Sequence, residues 1–479
     1  MANKGFTTDF FEQLQQAFKK IDSLSLELQN VKDELKEVKK DNEILTVKLS
    51  EANLEIDRLK NQINKDSSNS SKPTSTNNFK KITNNREKSS NKKGAVLGHI
   101  GKTFTPKYIE KLISDNEVDE VITVEVNKNQ TNKNLKPIVR YTYDIEVKRT
   151  VTKTLYYPDN TGNYNLPDGK IVSYGNNIKT LSSLLSNNYM SYDGIKEMFK
   201  FITNNTINLS KATILSWNEL LSKNLNPEME NIKTKLLNSL VLNVDESPFK
   251  IDGEQYYIHT VSNGFYTLQY KTKHRSKDDI DAFGFLKQYK GIIVHDHYIL
   301  YYNYGSDNAE CNVHILRYLN GVTEFTNHNW AKELKELLLE MKARKEDLIN
   351  DKKDSISEDD FEDFQKRYLK ILVNGKKERL TDIKMNAYRN DELSLLNRLI
   401  KYEHNHLLFL ENFIVPFSNN RAEADLRKIK IKQKIGKFRS EKGADTYAII
   451  RSCASTYSKN NINLFNAFKS AFNNVPVII

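Results

Sequence analysis

Three acidic residues sit where the local pattern would hold a carboxylate still. Asp245 closes the apolar run VLNVD, Val241 to Asp245, and is followed by Glu246 and Pro248. Asp296 closes a second such run, GIIVHD, and Glu423 lies in NNRAEADLRKIKIKQK, Asn419 to Lys434. Short apolar runs bounded by turn signals read as buried strands. A strand that ends in an acid delivers a carboxylate fixed by the sheet yet reachable by water. Carboxylates converging from separate segments suit hard cations, Mg²⁺ or Mn²⁺, and a pair of such ions about 3.5–4 Å apart is the apparatus of phosphoryl transfer. The formal net charge of +11 points to a polyanionic partner. The chemistry expected is therefore phosphoryl transfer on nucleic acid.

Alternation along a strand puts Asp245 and Glu246 on opposite faces, and leaves open which of them points inward. His295 and His297 likewise face away from Asp296. On the helix expected over the last segment, Glu423, Arg427, Lys430 and Lys434 share one face, beside an apolar stripe of Ala422, Leu426 and Ile429. Arg427, Lys430 and Lys434, with Arg421 nearby, are the candidate DNA-backbone contacts.

The elements that must position these residues follow in order: strands Leu240 to Asp245, Tyr256 to Val261 and Phe265 to Tyr270, with SNG at Ser262 to Gly264 as a hairpin turn. A helix from Asp278 to Tyr289 then crosses over to strand Gly291 to Asp296, parallel to the first, so both aspartates reach the same sheet edge. After a helix from Cys311 to Leu319, a long charged helical segment, Trp330 to Glu411, precedes Glu423.

Upstream, one heptad frame holds from Phe10 to Ile63, with Leu14, Ile21, Leu28, Leu35, Asn42, Leu49, Ile56 and Ile63 at a. Such a frame predicts a parallel dimeric coiled coil over 8–64, Asn42 fixing its register. A Ser-, Asn- and Lys-rich stretch, 65–103, reads as a flexible basic linker. Residues 104–175 carry β-branched and tyrosine-rich runs between turns, expected as a small β-rich module. Residues 176–236 are expected to be helical, with Ser210 capping a helix and a helix-turn-helix in prospect. The catalytic core is assigned to 237–325 and 412–455, the helical insertion to 326–411 and a tail to 456–479. Only two cysteines occur in 479 residues, Cys311 and Cys453. That rules out a disulfide framework and a four-cysteine zinc site. With no apolar run of membrane-spanning length, the expectation is a soluble, cytoplasmic, nucleoid-associated protein with no membrane partner.

Several blocks, in order, resemble the transposases of the IS66 group of bacterial insertion sequences: NSSKPTST with KKGAVLGHIGKT, VDESPFKIDG, VHDHYILYYNYG, AECNVHILRYLNG and PFSNNRAEADLRKIKIKQKIGKFRSEKGADTYAIIRS. The resemblance implies a multidomain α/β protein whose DDE catalytic domain has a ribonuclease H-like mixed sheet interrupted by a helical insertion. It assigns the Mg²⁺- or Mn²⁺-binding roles to Asp245, Asp296 and Glu423, and so selects Asp245 over Glu246. It also implies DNA at element ends and targets as partner, with companion proteins of the same element. The family's zinc-binding cysteines are lacking here in the stretch from Val118 to Tyr157, so no zinc is expected in that module. Cys311 and His314 match a family block; their i, i+3 spacing could hold a metal, but with no further Cys or His pair nearby they are read as packing or DNA-positioning residues. A catalytically silent DNA-binding dimer and a ribonuclease H-like nuclease without strand transfer are the competing functions.

Overall fold

The computed structural model describes residues 5–70, 105–125, 138–164, 166, 169–326, 328–381, 388–475 and 477. Two compact units divide the chain: Met1–Ile82 with Leu221–Ile479, and Thr83–Leu220.

Helix α1, Gly5–Asn64, is 60 residues long, or about 90 Å at the α-helical rise. Its heptad positions Leu24, Val31, Leu35, Val38, Leu45 and Leu49 are each more than half exposed. The stretch expected to be a flexible linker begins as an ordered one: the Asn69 amide donates to Glu324 at 2.7 Å, and Asn320 donates to the Ser68 carbonyl at 3.2 Å. Residues 71–103 of that expected linker lie outside the described residues.

In the Thr83–Leu220 unit, α2 spans Pro106–Ser114 behind the cap Thr105. The strands expected between Val118 and Tyr174 are a misreading, since none of the described residues there belongs to a strand. Ile122, Val124, Ile138, Val151, Leu155, Ile171 and Val172 are all strongly exposed. β-branched side chains favour strands only where a face is buried against something, and none of these described side chains is buried. Helices α3 (Asn176–Asn187) and α4 (Tyr192–Ile202) follow as expected. Helix α5, Lys211–Asn224, carries the anticipated cap, with the Thr213 amide donating to Ser210 Oγ at 3.0 Å. Asn218 of α5 donates to Ser186 and Tyr192, tying it to α3 and α4.

After α6, Asn226–Leu237, a five-stranded mixed sheet forms from β1 (Val241–Ile251), β2 (Glu254–Ser262), β3 (Thr267–Thr272), β4 (Ile292–His295) and β5 (Asp307–Glu310), in the order β3-β2-β1-β4-β5. The first three strands are antiparallel neighbours, and β4 and β5 run parallel to β1. Two sequence expectations need correction. Strand β1 does not stop at Asp245 but continues through Pro248 to a tight turn at Asp252 and Gly253, both with positive φ, the Asp-Gly signature of a two-residue hairpin. The proline is tolerated because pairing with β4 ends at Asn243, so this half of β1 has no strand on that side. The single helix expected from Asp278 to Tyr289 is two, α7 (Lys277–Phe283) and α8 (Phe285–Gln288), broken at Gly284 with φ +80°. Strand β5 was not anticipated at all; its sequence, DNAE, has no apolar run.

Helix α9, Asn312–Thr326, leads into α10 (Trp330–Asn350), α11 (Glu358–Thr381), α12 (Arg389–Lys401) and α13 (Glu403–Glu411). These pack on β4 and β5 around Trp330, Leu334, Tyr368 and Leu396. Gly375 of α11 lies so close to Trp330 that an added Cβ would sit 2.7 Å from the indole. Helix α14, Asn420–Ile435, then covers β1 and β2 together with α15 (Glu441–Lys459), in a core of Phe249, Ile258, Leu426, Ile429 and Tyr447. The expected tail boundary after Ser455 falls inside α15. Beyond it α16, Leu464–Phe472, buries Phe468 and Phe472. Among the described residues no helix is long and apolar enough to cross a membrane.

Candidate active site

The last parallel pair of β1 and β4 is Asn243 with Val294; carried two residues further, the same register sets Asp245 beside Asp296. Burial, followed by the charges of Asp296, Glu246 and Glu423, pushes the Asp245 carboxyl well above the ordinary carboxylate range. The three sequence-predicted acids are thus brought within electrostatic reach of one another. Glu246 takes the opposite side of the strand, where Tyr301 donates to it and Arg275 pairs with it. Burial and the Asp296 charge raise Glu246 to about 7 against the pull of Arg275. Arg275 is itself held over the Tyr298 ring, 3.6 Å from its centre.

Glu423 reaches the cluster from the first turn of α14, and its placement depends on a residue the sequence reading passed over. Asn419, fully buried, donates through Nδ2 to the Val244 carbonyl at 2.8 Å and accepts from Asn243 Nδ2 at 3.0 Å, while its backbone N–H donates to Cys311 Sγ at 3.2 Å. One residue therefore ties the start of α14 to the strand beside Asp245, through its side chain, and to the end of β5, through its backbone. Asn419→Ala removes the donor to the Val244 carbonyl and leaves the Asn243 amide only its longer bond to the Ser418 carbonyl at 3.4 Å, and the expected cost is about 1–3 kcal/mol, read as a lower denaturant midpoint. A midpoint equal to that of the wild type would remove Asn419 from this role. Two residues along the helix, Asp425 is buried too. Burial alone would raise its carboxyl, but Lys459 at 2.9 Å, Lys428 and the Thr267 hydroxyl bring it below the usual range, and it anchors α14 to β3 and α15.

A second network flanks Asp296. Glu310, buried at the end of β5, accepts from Arg398 of α12, from His297 at 2.6 Å and from Tyr302, with His406 of α13 3.7 Å away. Despite its burial, these neighbours hold the Glu310 carboxyl far below the usual range. His297 adopts φ +80°, so the chain turns sharply after Asp296 and this network holds the turn. Nothing in the sequence flagged Glu310, because its partners come from distant helices.

The cations of α14 divide. Lys430 Nζ donates to the Pro248 carbonyl at 2.5 Å and feels Asp245, and Arg427 lies 3.5 Å from Glu423. Lys434 is exposed about 16 Å further along the helix, and Arg421 is exposed near the β2–β3 turn at Gly264. Neither Lys434 nor Arg421 is drawn to the acids.

Asp296 Oδ1 and Glu423 Oε1 are buried with no hydrogen-bond partner. Together with the mutual repulsion felt at Asp245, they make a set of oxygen acceptors with surplus negative charge, which fits a hard divalent cation. Beside it, Cys311, His314 and Glu423 place three ligand atoms within 4.8 Å of one another. Burial pushes the Cys311 thiol up to about 11.

The structure is thus a mixed α/β sheet with acids gathered where its parallel strands end, and a basic helix that supplies one of them. The profile of the Transposase IS66 family matches residues 176–446, more than half of the chain, and the chain belongs to that family. Membership makes DNA its substrate class and transposition its sphere of activity, with divalent metal the general requirement. A comparison with curated proteins found no match.

Proposed function

We propose that the protein cuts phosphodiester bonds at the ends of an insertion sequence and joins the freed 3′-hydroxyl to target DNA. The observation that carries this reading is the convergence of Asp245, Asp296 and Glu423 from β1, the end of β4 and α14. The strand order, with three antiparallel strands followed by two parallel ones, supports a ribonuclease H-like core. Asp245, Asp296 and Glu423 would hold Mg²⁺ or Mn²⁺; when bound, such ions activate the attacking oxygen and stabilise the leaving one. Of the chain's own residues, Arg275 and Tyr301 sequester Glu246 away from the three acids, and Arg427 and Lys430, which lie beside those acids, are presented to the DNA backbone. The test is an assay of labelled duplexes carrying the DNA that flanks the gene, with Mg²⁺. Cleaved ends and joined products support the proposal; cleavage without joining would reduce it to a nuclease, and neither would sink it.

Contacts from α14 to DNA phosphates release condensed counterion, so Arg427→Ala and Lys434→Ala should each flatten the slope of log affinity against log salt by about 0.7–0.9. Base preference should stay the same, since phosphate contacts carry no sequence information directly. Salt titrations on one fixed DNA end decide it; unchanged slopes in both variants would move the DNA path away from α14. The helices α3 to α5 are proposed as a second, helix-turn-helix contact with DNA.

The exposed heptad stripe of α1 is proposed to pair with a second copy in a parallel coiled coil, Asn42 at its a position setting the register. Deleting residues up to Asn64 is expected to halve the mass measured by light scattering. A full-length chain already monomeric at micromolar concentration would refute the pairing.

A further inference from the structure

We propose that Cys311, His314 and Glu423 form a separate site for a thiophilic divalent ion such as Zn²⁺, and that its occupation withdraws Glu423 from the carboxylate cluster. The proposal rests on the reading of Glu423 as an active-site acid. Its geometry is local: Cys311 follows the last residue of β5, His314 stands in the first turn of α9, and Glu423 stands in the first turn of α14. One ligand atom from each lies within 4.8 Å of the others, so shifts of about an ångström bring all three to the 2.0–2.3 Å bonds that zinc makes with carboxylate, imidazole and thiolate.

Two of the polar atoms at this place lack a hydrogen-bond partner. Glu423 Oε1 and His314 Nδ1 are both buried without a hydrogen-bond partner, and His314 Nε2 is 3.9 Å from Glu423 Oε1. The N–H of Asn419 already points at Cys311 Sγ from 3.2 Å, a donor that strengthens when sulfur carries negative charge. Binding exchanges the thiol proton for the ion: the S–H bond breaks, a metal–sulfur bond forms and the proton leaves to solvent. The donor types separate the two sites chemically. Sulfur and imidazole select zinc and its neighbours, whereas the all-oxygen set of Asp245, Asp296 and Glu423 selects Mg²⁺ or Mn²⁺. Because Glu423 belongs to both sets, the two sites compete for one side chain, and zinc becomes an inhibitor of the magnesium-dependent reaction.

The probe is Co²⁺, added to the full-length protein in excess Mg²⁺ and followed through the near-ultraviolet charge-transfer band that only a cobalt–thiolate bond gives. With two cysteines in the chain, the assignment is direct. Wild type, Cys453→Ser and Asp245→Ala should show the band, Cys311→Ser should lose it and His314→Ala should lose most of it. His314→Ala, at a partly exposed residue, keeps the test valid if the buried Cys311→Ser variant folds poorly. No band in the wild type, or an undiminished one in Cys311→Ser, overturns the site. In parallel, the ratio of DNA cleavage with and without one equivalent of Zn²⁺ is compared within each protein. Loss of most cleavage in wild type but not in Cys311→Ser supports withdrawal of Glu423, and equal sensitivity overturns it. Failure of the underlying reading would look different: Asp245→Ala would still cleave DNA, with the cobalt band unaffected.

Discussion

Replacing Asp245, Asp296 or Glu423 by alanine is expected to lower DNA cleavage by roughly 10³-fold or more while leaving DNA binding undiminished. A divalent ion in such a centre supplies several kcal/mol of transition-state stabilisation, and about 4 kcal/mol corresponds to three decades in rate. Each acid enters from a different element, so none can stand in for another: β1 is fixed by pairing on β2, β4 by its parallel neighbours, and α14 by Asn419 and Asp425. Single-turnover cleavage of a labelled DNA end, with binding followed separately, provides the measurement. Glu246→Gln serves as the internal contrast, since Arg275 and Tyr301 already occupy that carboxylate. A variant of any of the three acids that cleaves within tenfold of wild type would remove that residue from the centre.

The largest effect on stability is expected at Arg398. Its guanidinium is paired with Glu310, whose side chain is wholly buried, and removing one partner of such a pair costs about 3–5 kcal/mol because the remaining charge has no water to turn to. Arg398→Met keeps the aliphatic packing and deletes only the charge. The double variant Arg398→Met with Glu310→Gln should recover much of the loss, since no unpaired carboxylate is then buried. Denaturant midpoints of the two single variants and the double measure the coupling. A single Arg398→Met within about 1 kcal/mol of wild type would mean that His297, His406 and Tyr302 suffice to hold Glu310. Because His297 follows Asp296 directly, the same variant is expected to loosen the turn that presents Asp296.

The acids themselves were legible in the sequence because each sat at the edge of a recognisable pattern: two at the ends of apolar strands, and one at the start of a helix with Leu426 and Ile429 on its buried stripe. What stayed hidden depended on contacts between distant segments. Asn419 was no more than the first residue of the segment Asn419 to Lys434, and nothing local shows that it meets Val244 and Asn243. Glu310 closes a strand with no apolar run, and its ion pair comes from α12, which the sequence marked only as charged and helical. The length of β1 was misjudged because Pro248 read as a stop, although a strand without a neighbour on one side can spare an N–H. In 118–174 the opposite error occurred, since β-branched residues alone promised strands that no buried face supports among the described residues. The choice between Asp245 and Glu246, which alternation left open, corresponds in the structure to two different surroundings: acids around one, Arg275 and Tyr301 around the other.

The most direct test of the carboxylate centre is Mn²⁺ binding to the full-length protein, followed by the loss of the free-ion paramagnetic resonance signal. The expected result is saturable binding that weakens at least tenfold in Asp245→Asn, Asp296→Asn and Glu423→Gln, and is unchanged in Glu246→Gln. Binding of equal strength in wild type and in all three acid variants would contradict the account, because the ion would then be held somewhere else.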